Sequence, residues 1–245
     1  MVSGCVSPHR DVGTAVPEDL RMFVPVAIRA FMDRLAPRVQ AAAAVSLRQI
    51  VDLNPRIPER IMAGEAFDIA LTNPTHARAL VASGHADGAT HFPFGRVPLA
   101  IARRAGTDHP VRTDMPGVAA LLRDAESIAY TGAGTSGRSY LDAVARLGLT
   151  DTVLSRSRPM GGGEPVASVA DGTTELAIAP LSTVLSTPGV IPAAVFPDVF
   201  GAAIEMSVLL GNAPGAGAAA VLAFLTASDL DAELAAAGLV RFALD

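Results

Sequence analysis

The densest run of chemistry-bearing residues in this chain is Ser127-Ile-Ala-Tyr-Thr-Gly-Ala-Gly-Thr-Ser-Gly-Arg-Ser-Tyr140. It contains Gly132-x-Gly134-x-x-Gly137 between an apolar run and a helix-forming run, the local setting of a dinucleotide loop. It also reads as a phosphate loop, with Arg138 where Lys belongs and Ser139 after it. The phosphate-loop reading fails on that Lys, and on the lack of a later apolar strand ending in a magnesium-binding Asp. The dinucleotide reading lacks an acidic residue about 20 positions on, where Arg156-Ser157-Arg158 stands; an NADP-type site would use those arginines. Both share a simpler property. A Gly/Ser/Thr loop feeding a helix offers free N–H groups and a positive dipole end, which suits a carboxylate. Thr135 and Ser136 add hydroxyl donors and Arg138 a candidate bidentate clamp; the plainer alternative is a capped turn with Arg138 in solvent.

Few other residues are candidates for chemistry. Glu205 is a lone acid in the apolar run Ala202-Ala-Ile-Glu-Met-Ser-Val-Leu-Leu210. Burial would raise its pKa toward proton abstraction, whereas pairing with an Arg would leave it structural. Glu164, after Gly161-Gly-Gly163, fits a helix cap better than catalysis. His76, His85, His91 and His109 have no partner spacing, so surface or capping roles are the default; His76, just past the Asn73 turn, is the candidate among them. The single Cys5 forms no intramolecular disulfide, and no Cys/His pair has zinc spacing. No metal and no cofactor is called for.

Composition removes whole classes. Of 245 residues, 50% are hydrophobic and 18% charged, the opposite of a disordered chain. A net charge of −5 with scattered basic residues argues against a nucleic-acid partner. All 19 basic residues are Arg, which excludes Schiff-base and pyridoxal-phosphate lysines and a Tyr-x-x-x-Lys dehydrogenase site. No uncharged apolar run reaches the ~18 residues of a membrane span. The first twenty residues carry no signal-type apolar segment, so a cytoplasmic location is expected. Val2-Ser3-Gly4-Cys5 looks like a lipobox, and an exported lipoprotein is the alternative if the true start lies upstream of Cys5.

The elements that must position these residues alternate. Residues 1–19 read as a poorly ordered leader. A strand at 21–24 precedes an amphipathic helix through Ile28, Phe31, Met32 and Leu35 that should end before Pro37. A strand is expected at 42–47. A helix opened by Asn54-Pro55 follows, with Ile57, Ile61 and Met62 inward and Gly64 as its stop. A strand at 67–71 leads into a helix capped by Thr72-Asn73-Pro74-Thr75. Strands at 97–103, 127–130, 151–154 and 175–179 alternate with helices at 117–123, 138–147 and 164–171. Strands around 190–210 and helices at 214–226 and 228–237 close the chain. Such alternation means an α/β fold of mostly parallel sheets flanked by helices.

The order of several segments resembles a known family. They are Met62-Ala-Gly-Glu-Ala-Phe-Asp-Ile-Ala70, Ala79-Leu-Val-Ala-Ser-Gly-His85, Val97-Pro-Leu-Ala-Ile-Ala-Arg-Arg-Ala-Gly106, Tyr140-Leu-Asp-Ala-Val-Ala-Arg-Leu-Gly-Leu149, Val169-Ala-Asp-Gly-Thr-Thr-Glu-Leu176 and Ala223-Phe-Leu-Thr-Ala-Ser228. The chain is similar to type II periplasmic-binding-protein-like folds, in the molybdate-binding-like branch, and within it to aconitate-isomerase-like members. The resemblance implies two lobes, 20–95 plus 203–245 and 96–202, with the ligand in the cleft between them. Loops 24–29, 52–56, 72–75, 131–138 and 180–183 would line that cleft. Asn54, Thr72, Asn73 and Ser182 would then bond the ligand beside Thr135, Ser136 and Arg138. Arg96, at the first crossing, matches an Arg of the isomerase-like members and is expected to hold a carboxylate or to form a hinge ion pair. Glu205 falls at the second crossing, and His76 near the cleft.

Where the family pattern has hydroxyl-rich first and second loops, this chain reads Val24-Pro25-Val26-Ala27-Ile28 and Asp52-Leu53-Asn54-Pro55. A cleft apolar on one side suits a small organic acid better than molybdate. Two functions follow. One is a cofactor-free isomerase on a small unsaturated or carbonyl-bearing carboxylic acid, with Glu205 or His76 moving the proton. The other is a solute-binding receptor that delivers an organic anion to an ABC permease.

Overall fold

The computed structural model describes residues 19–106 and 109–244. Cys5 and all but the last residue of the expected leader lie outside the described residues. In chain order the elements are β1 (Leu20–Pro25), α1 (Arg29–Ala43), β2 (Leu47–Asp52), α2 (Arg56–Met62), β3 (Ile69–Thr72), α3 (Pro74–Ala82), β4 (Phe92–Val97) and β5 (Leu99–Arg104). Next come α4 (Met115–Asp124), β6 (Ile128–Thr131), α5 (Thr135–Arg146), α6 (Thr150–Val153), β7 (Ser157–Met160), α7 (Glu164–Ala170), β8 (Leu176–Pro180) and α8 (Leu181–Ser186). The chain closes with β9 (Val190–Val195), β10 (Ile204–Leu210), α9 (Ala218–Thr226) and α10 (Asp231–Ala236).

These strands form two five-stranded sheets, ordered β2-β1-β3-β10-β4 and β7-β6-β8-β5-β9. Each has three parallel strands at one side, then one strand antiparallel to them (β10 or β5) and an edge strand paired antiparallel to that one (β4 or β9). The antiparallel strands carry the chain between the sheets. β4 becomes β5 across Pro98, and β9 returns to β10 through residues 196–203. Both crossings therefore sit side by side, as a hinge requires.

Burial explains the departures from sequence expectation. α1 runs on through Pro37 to Ala43. An interior proline costs about 3 kcal/mol, but Phe31, Met32, Leu35 and Val39 are all buried in the first-lobe core. Of these only Val39 lies beyond the proline, and its burial, at roughly 1.5–3 kcal/mol, offsets most of that cost. The expected strand at 42–47 lies instead at 47–52, where it forms the sheet edge and carries the polar Arg48 and Gln49. Residues 150–153 are helical rather than extended, and the strand follows at 157–160. Met62 is 49% exposed, not inward.

Candidate functional site

The parallel strands of both sheets end at one cavity of about 40 Å³. From the first lobe come Pro25, Val26 and Ala27 after β1, Leu53 and Asn54 after β2, and Ile204 at the start of β10. The second lobe gives Thr131 and Gly134 to Ser136 at the β6–α5 turn, Gly162, Gly163, Pro165 and Val166 after β7, and Ala179, Pro180 and Thr183 at the end of β8. Carboxyl ends of parallel strands are where helix N-termini converge, and hence where open α/β sheets bind ligands.

The helices that start here are left uncapped. Their N-cap residues are Pro55, Gly134, Gly163 and Pro180, and Pro25 opens the short 3-10 turn Val26–Ile28. None caps with a side chain. Asp87 and Asp114, at N-termini that do not line the cavity, accept bonds from Ala89 and Gly117. Starts away from the cavity, such as Asn73, Leu149 and Gly217, also lack a side-chain cap, and at the cavity the Arg56 and Leu181 N–H groups already donate to the Leu53 and Pro98 carbonyls; α5, twelve residues long, is the long helix whose first residues line the cavity.

Asn54 is the most informative residue. It is 6% exposed, and its Oδ1 accepts from Thr72 Oγ1 at 2.8 Å and from the Asn73 N–H at 3.0 Å. Those two bonds fix which way the amide faces. Its Nδ2 is buried and has no partner among the described residues. A buried donor left unmet costs about 1–3 kcal/mol, so an unsatisfied N–H₂ in a residue that lines the cavity is a feature to explain.

Three contacts close the cleft around this cavity. Ser182 Oγ donates to the Ala27 carbonyl at 2.6 Å, Thr135 Oγ1 donates to Asn73 Oδ1 at 3.3 Å, and Gly162 faces Leu53 and Val26. A Cβ at Gly162 would lie 3.1 Å from Leu53 Cδ2. The lips are therefore already in contact.

Of the expected ligand-binding residues, Asn54, Thr135 and Ser136 line the cavity. Thr72 is fully buried behind it, Asn73 bridges the lobes, and the Ser182 hydroxyl is spent on Ala27. Arg138 is exposed and off the lining: α5 buries Ser136, Gly137, Tyr140, Ala143 and Val144, which turns Arg138 outward. Arg96 lies in a separate groove at the hinge, 4.0 Å from Asp198, not in the cleft. Glu205 is the register partner of Arg96 in the β10–β4 pairing, and its carbonyl accepts from Asn73 Nδ2 at 2.7 Å. Its side chain is off the cavity wall. His76 is half-buried, with Nδ1 3.5 Å from Thr72 Oγ1, too far for a firm bond. Burial, then the Arg138 charge, holds its imidazole below the ordinary value. The cavity wall thus carries no titratable side chain. The expectation of a cationic second-lobe wall does not match this arrangement.

The glycines of the 132–137 loop also have a packing reason. A Cβ at Gly137 would collide with the Thr131 carbonyl oxygen, and one at Gly132 would lie 3.0 Å from Pro159. They let α5 press against β6, and the cavity beside them is far too small for a dinucleotide. Thr131 and Thr183 fall in the loops expected at 131–138 and 180–183, whereas sequence reading missed the wall of Gly162, Gly163, Pro165 and Val166. The signal was present in three glycines feeding a Pro at the first turn of a helix.

A family model described as bacterial extracellular solute-binding protein matches residues 20–240. The chain belongs to that family. Its fold is the two-lobed α/β fold of periplasmic binding proteins. The periplasmic molybdate-binding protein of Azotobacter vinelandii superposes with a TM-score of 0.76 at 16% identity, covering 91% of this chain and 99% of that one. PEB3 of Campylobacter jejuni, bound to L-phospholactate, gives 0.64 at 13% identity over 91% and 100%. Among curated proteins, the aconitate isomerase of a Pseudomonas species is 28% identical over 172 residues. That stretch is 67% of this chain, and the chain spans 64% of the isomerase's length.

Among the described residues, no helix is long and apolar enough to cross a membrane. No group of three or more His, Cys, Asp and Glu among them is placed to hold a metal ion.

Proposed function

We propose that this protein is a solute-binding receptor that closes its two lobes on a small organic anion and presents it to an ABC permease. The observation that carries the reading is a cavity wall with no titratable side chain, lined in part by Asn54, whose buried Nδ2 has no partner among the described residues. Neutral donors and uncapped helix starts stabilise a fixed negative charge. They do not move protons. A proton-shifting enzyme needs an acid or base within about 3 Å of the substrate, directly or through one water. Glu205 and His76 do not line the cavity.

The class of anion follows from the walls. Val26, Leu53, Pro165, Val166 and Ile204 present apolar side chains, while Asn54, Thr131, Thr135, Ser136 and Thr183 offer donors. An inorganic tetrahedral oxyanion would bury some oxygens against hydrocarbon without partners, at a cost of about 1–3 kcal/mol each. A carboxylate or phosphate ester with a short hydrocarbon part has an apolar side to offer.

The isomerase reading keeps one supporting observation, the likeness to aconitate isomerase. The two separate by experiment. Melting shifts and calorimetry with L-phospholactate, cis- and trans-aconitate, molybdate and sulfate should give binding to an organic anion. Proton NMR in deuterated water should give no C–H exchange of either aconitate isomer. Exchange by the wild-type chain that is lost in Glu205→Gln would overturn the receptor reading. A receptor must also be exported, so fractionation of cells with the full-length gene should place it outside the cytoplasm.

A further inference from the structure

Asn73 bonds to three parts of the molecule at once. Its Nδ2 donates to the Glu205 carbonyl on the hinge strand β10, and its Oδ1 accepts from Thr135 Oγ1 of the second lobe. Its backbone N–H donates to Asn54 Oδ1. One residue therefore reads the position of the hinge, meets the opposing lobe and helps set the Asn54 amide. We infer that Asn73 is a positioning residue, a latch that couples lobe closure to the orientation of the Asn54 donor.

The geometry favours this role over ligand contact. Both ends of the Asn73 amide are committed to protein, and the residue does not line the cavity. The bond to the Glu205 carbonyl, at 2.7 Å, lies within the first lobe and persists when the cleft opens. The Thr135 bond, at 3.3 Å, is the long one and the one that opening breaks. With Thr135 docked, the loop carrying the Asn73 N–H and Thr72 is held, and these two groups fix Asn54 Oδ1. When Thr135 leaves, Asn73 loses its outer anchor and the hold on Asn54 loosens. The donor is thus set for the anion as the lobes come together. A ligand that binds the closed form shifts the population toward it by its differential affinity.

Because the cleft is read as the ligand site, the test uses no ligand, so a failed latch and a failed ligand assignment are told apart. Spin labels at Ala79→Cys on α3 and Ala145→Cys on α5, both exposed, in a Cys5→Ser background report interlobe distance. Thr135→Val removes the donor at nearly constant volume and keeps the backbone N–H; Thr135→Ser restores the hydroxyl. Thr135→Val should shift the closed-to-open ratio about fivefold toward open, the worth of one net hydrogen bond of about 1 kcal/mol. The Asn54 side-chain amide resonances should move in the same variant, and Thr135→Ser should return both readouts. An unchanged distance distribution in Thr135→Val overturns the latch. A changed distribution with unmoved Asn54 resonances overturns the coupling.

Discussion

Asn54→Asp is the substitution that separates binding from folding. It keeps an oxygen where Oδ1 accepts from Thr72 and Asn73, and replaces only the unpartnered Nδ2 with a second oxygen. Losing a donor to an anion costs about 1.5–3 kcal/mol, which is roughly 10- to 150-fold in affinity. A carboxylate about 4 Å from the ligand charge adds repulsion of about 4 kcal/mol at an effective dielectric of about 20. Part of that is relieved if the new carboxyl takes a proton, so the expected loss is about 10²-fold or more. Asn54→Ala behaves differently. It strands the Thr72 hydroxyl and the Asn73 N–H, at about 1–3 kcal/mol each, and should lower stability without ligand. The assay is calorimetry with the tightest anion of the panel, beside melting of the ligand-free variants. Binding by Asn54→Asp within about twofold of the parent would refute the assignment of Nδ2 as a ligand donor.

Other outcomes follow from the same structure. Gly137→Ala drives a methyl into the Thr131 carbonyl oxygen, so α5 must shift; chemical denaturation should show a loss of about 2 kcal/mol or more, and anion affinity should fall with it. Arg241→Ala removes a guanidinium that bonds the Phe94, Leu225 and Ala227 carbonyls and Asp231, and should cost about 2–3 kcal/mol in the same assay. Burial holds the His76 and His91 imidazoles below their ordinary value, helped by Arg138 and Arg78 respectively. Their unfolded forms bind protons first, so stability is full above a pH of about 6.5 and is lost as pH falls through the depressed folded values. Melting between pH 7.5 and 5.5 should show that fall, and His76→Gln should reduce it.

What the sequence made legible was the alternation, and with it the loops that must gather at one edge. Strand-to-helix turns at 24–29, 52–56 and 131–138 are set by periodicity and by Gly and Pro punctuation, which act locally. Direction was not legible. Arg138 looks like a clamp in one dimension, but helical phase puts it opposite the buried stripe from Ser136 to Val144. Arg96 is set in the hinge groove by its place on β4, where its N–H and carbonyl pair with Val240 from the far end of the chain, a contact with no local sequence signature. Thr150–Val153 is too short for periodicity to tell helix from strand, and the bonds from Thr152 and Val153 to the Leu149 carbonyl decide it. The resemblance put Asn54 among the ligand contacts, but not which amide atom is left over, because that arises from Thr72 and Asn73, some twenty residues away, taking its oxygen and leaving its nitrogen.

Co-crystallisation with the tightest-binding anion of the panel tests the account most directly. The predicted result is an anionic oxygen within hydrogen-bond distance of Asn54 Nδ2 and of the Thr135 or Ser136 backbone N–H, with its hydrocarbon part against Val26 and Leu53. An anion seated on Arg96 at the hinge, or held by Arg138 outside closed lips, would contradict it.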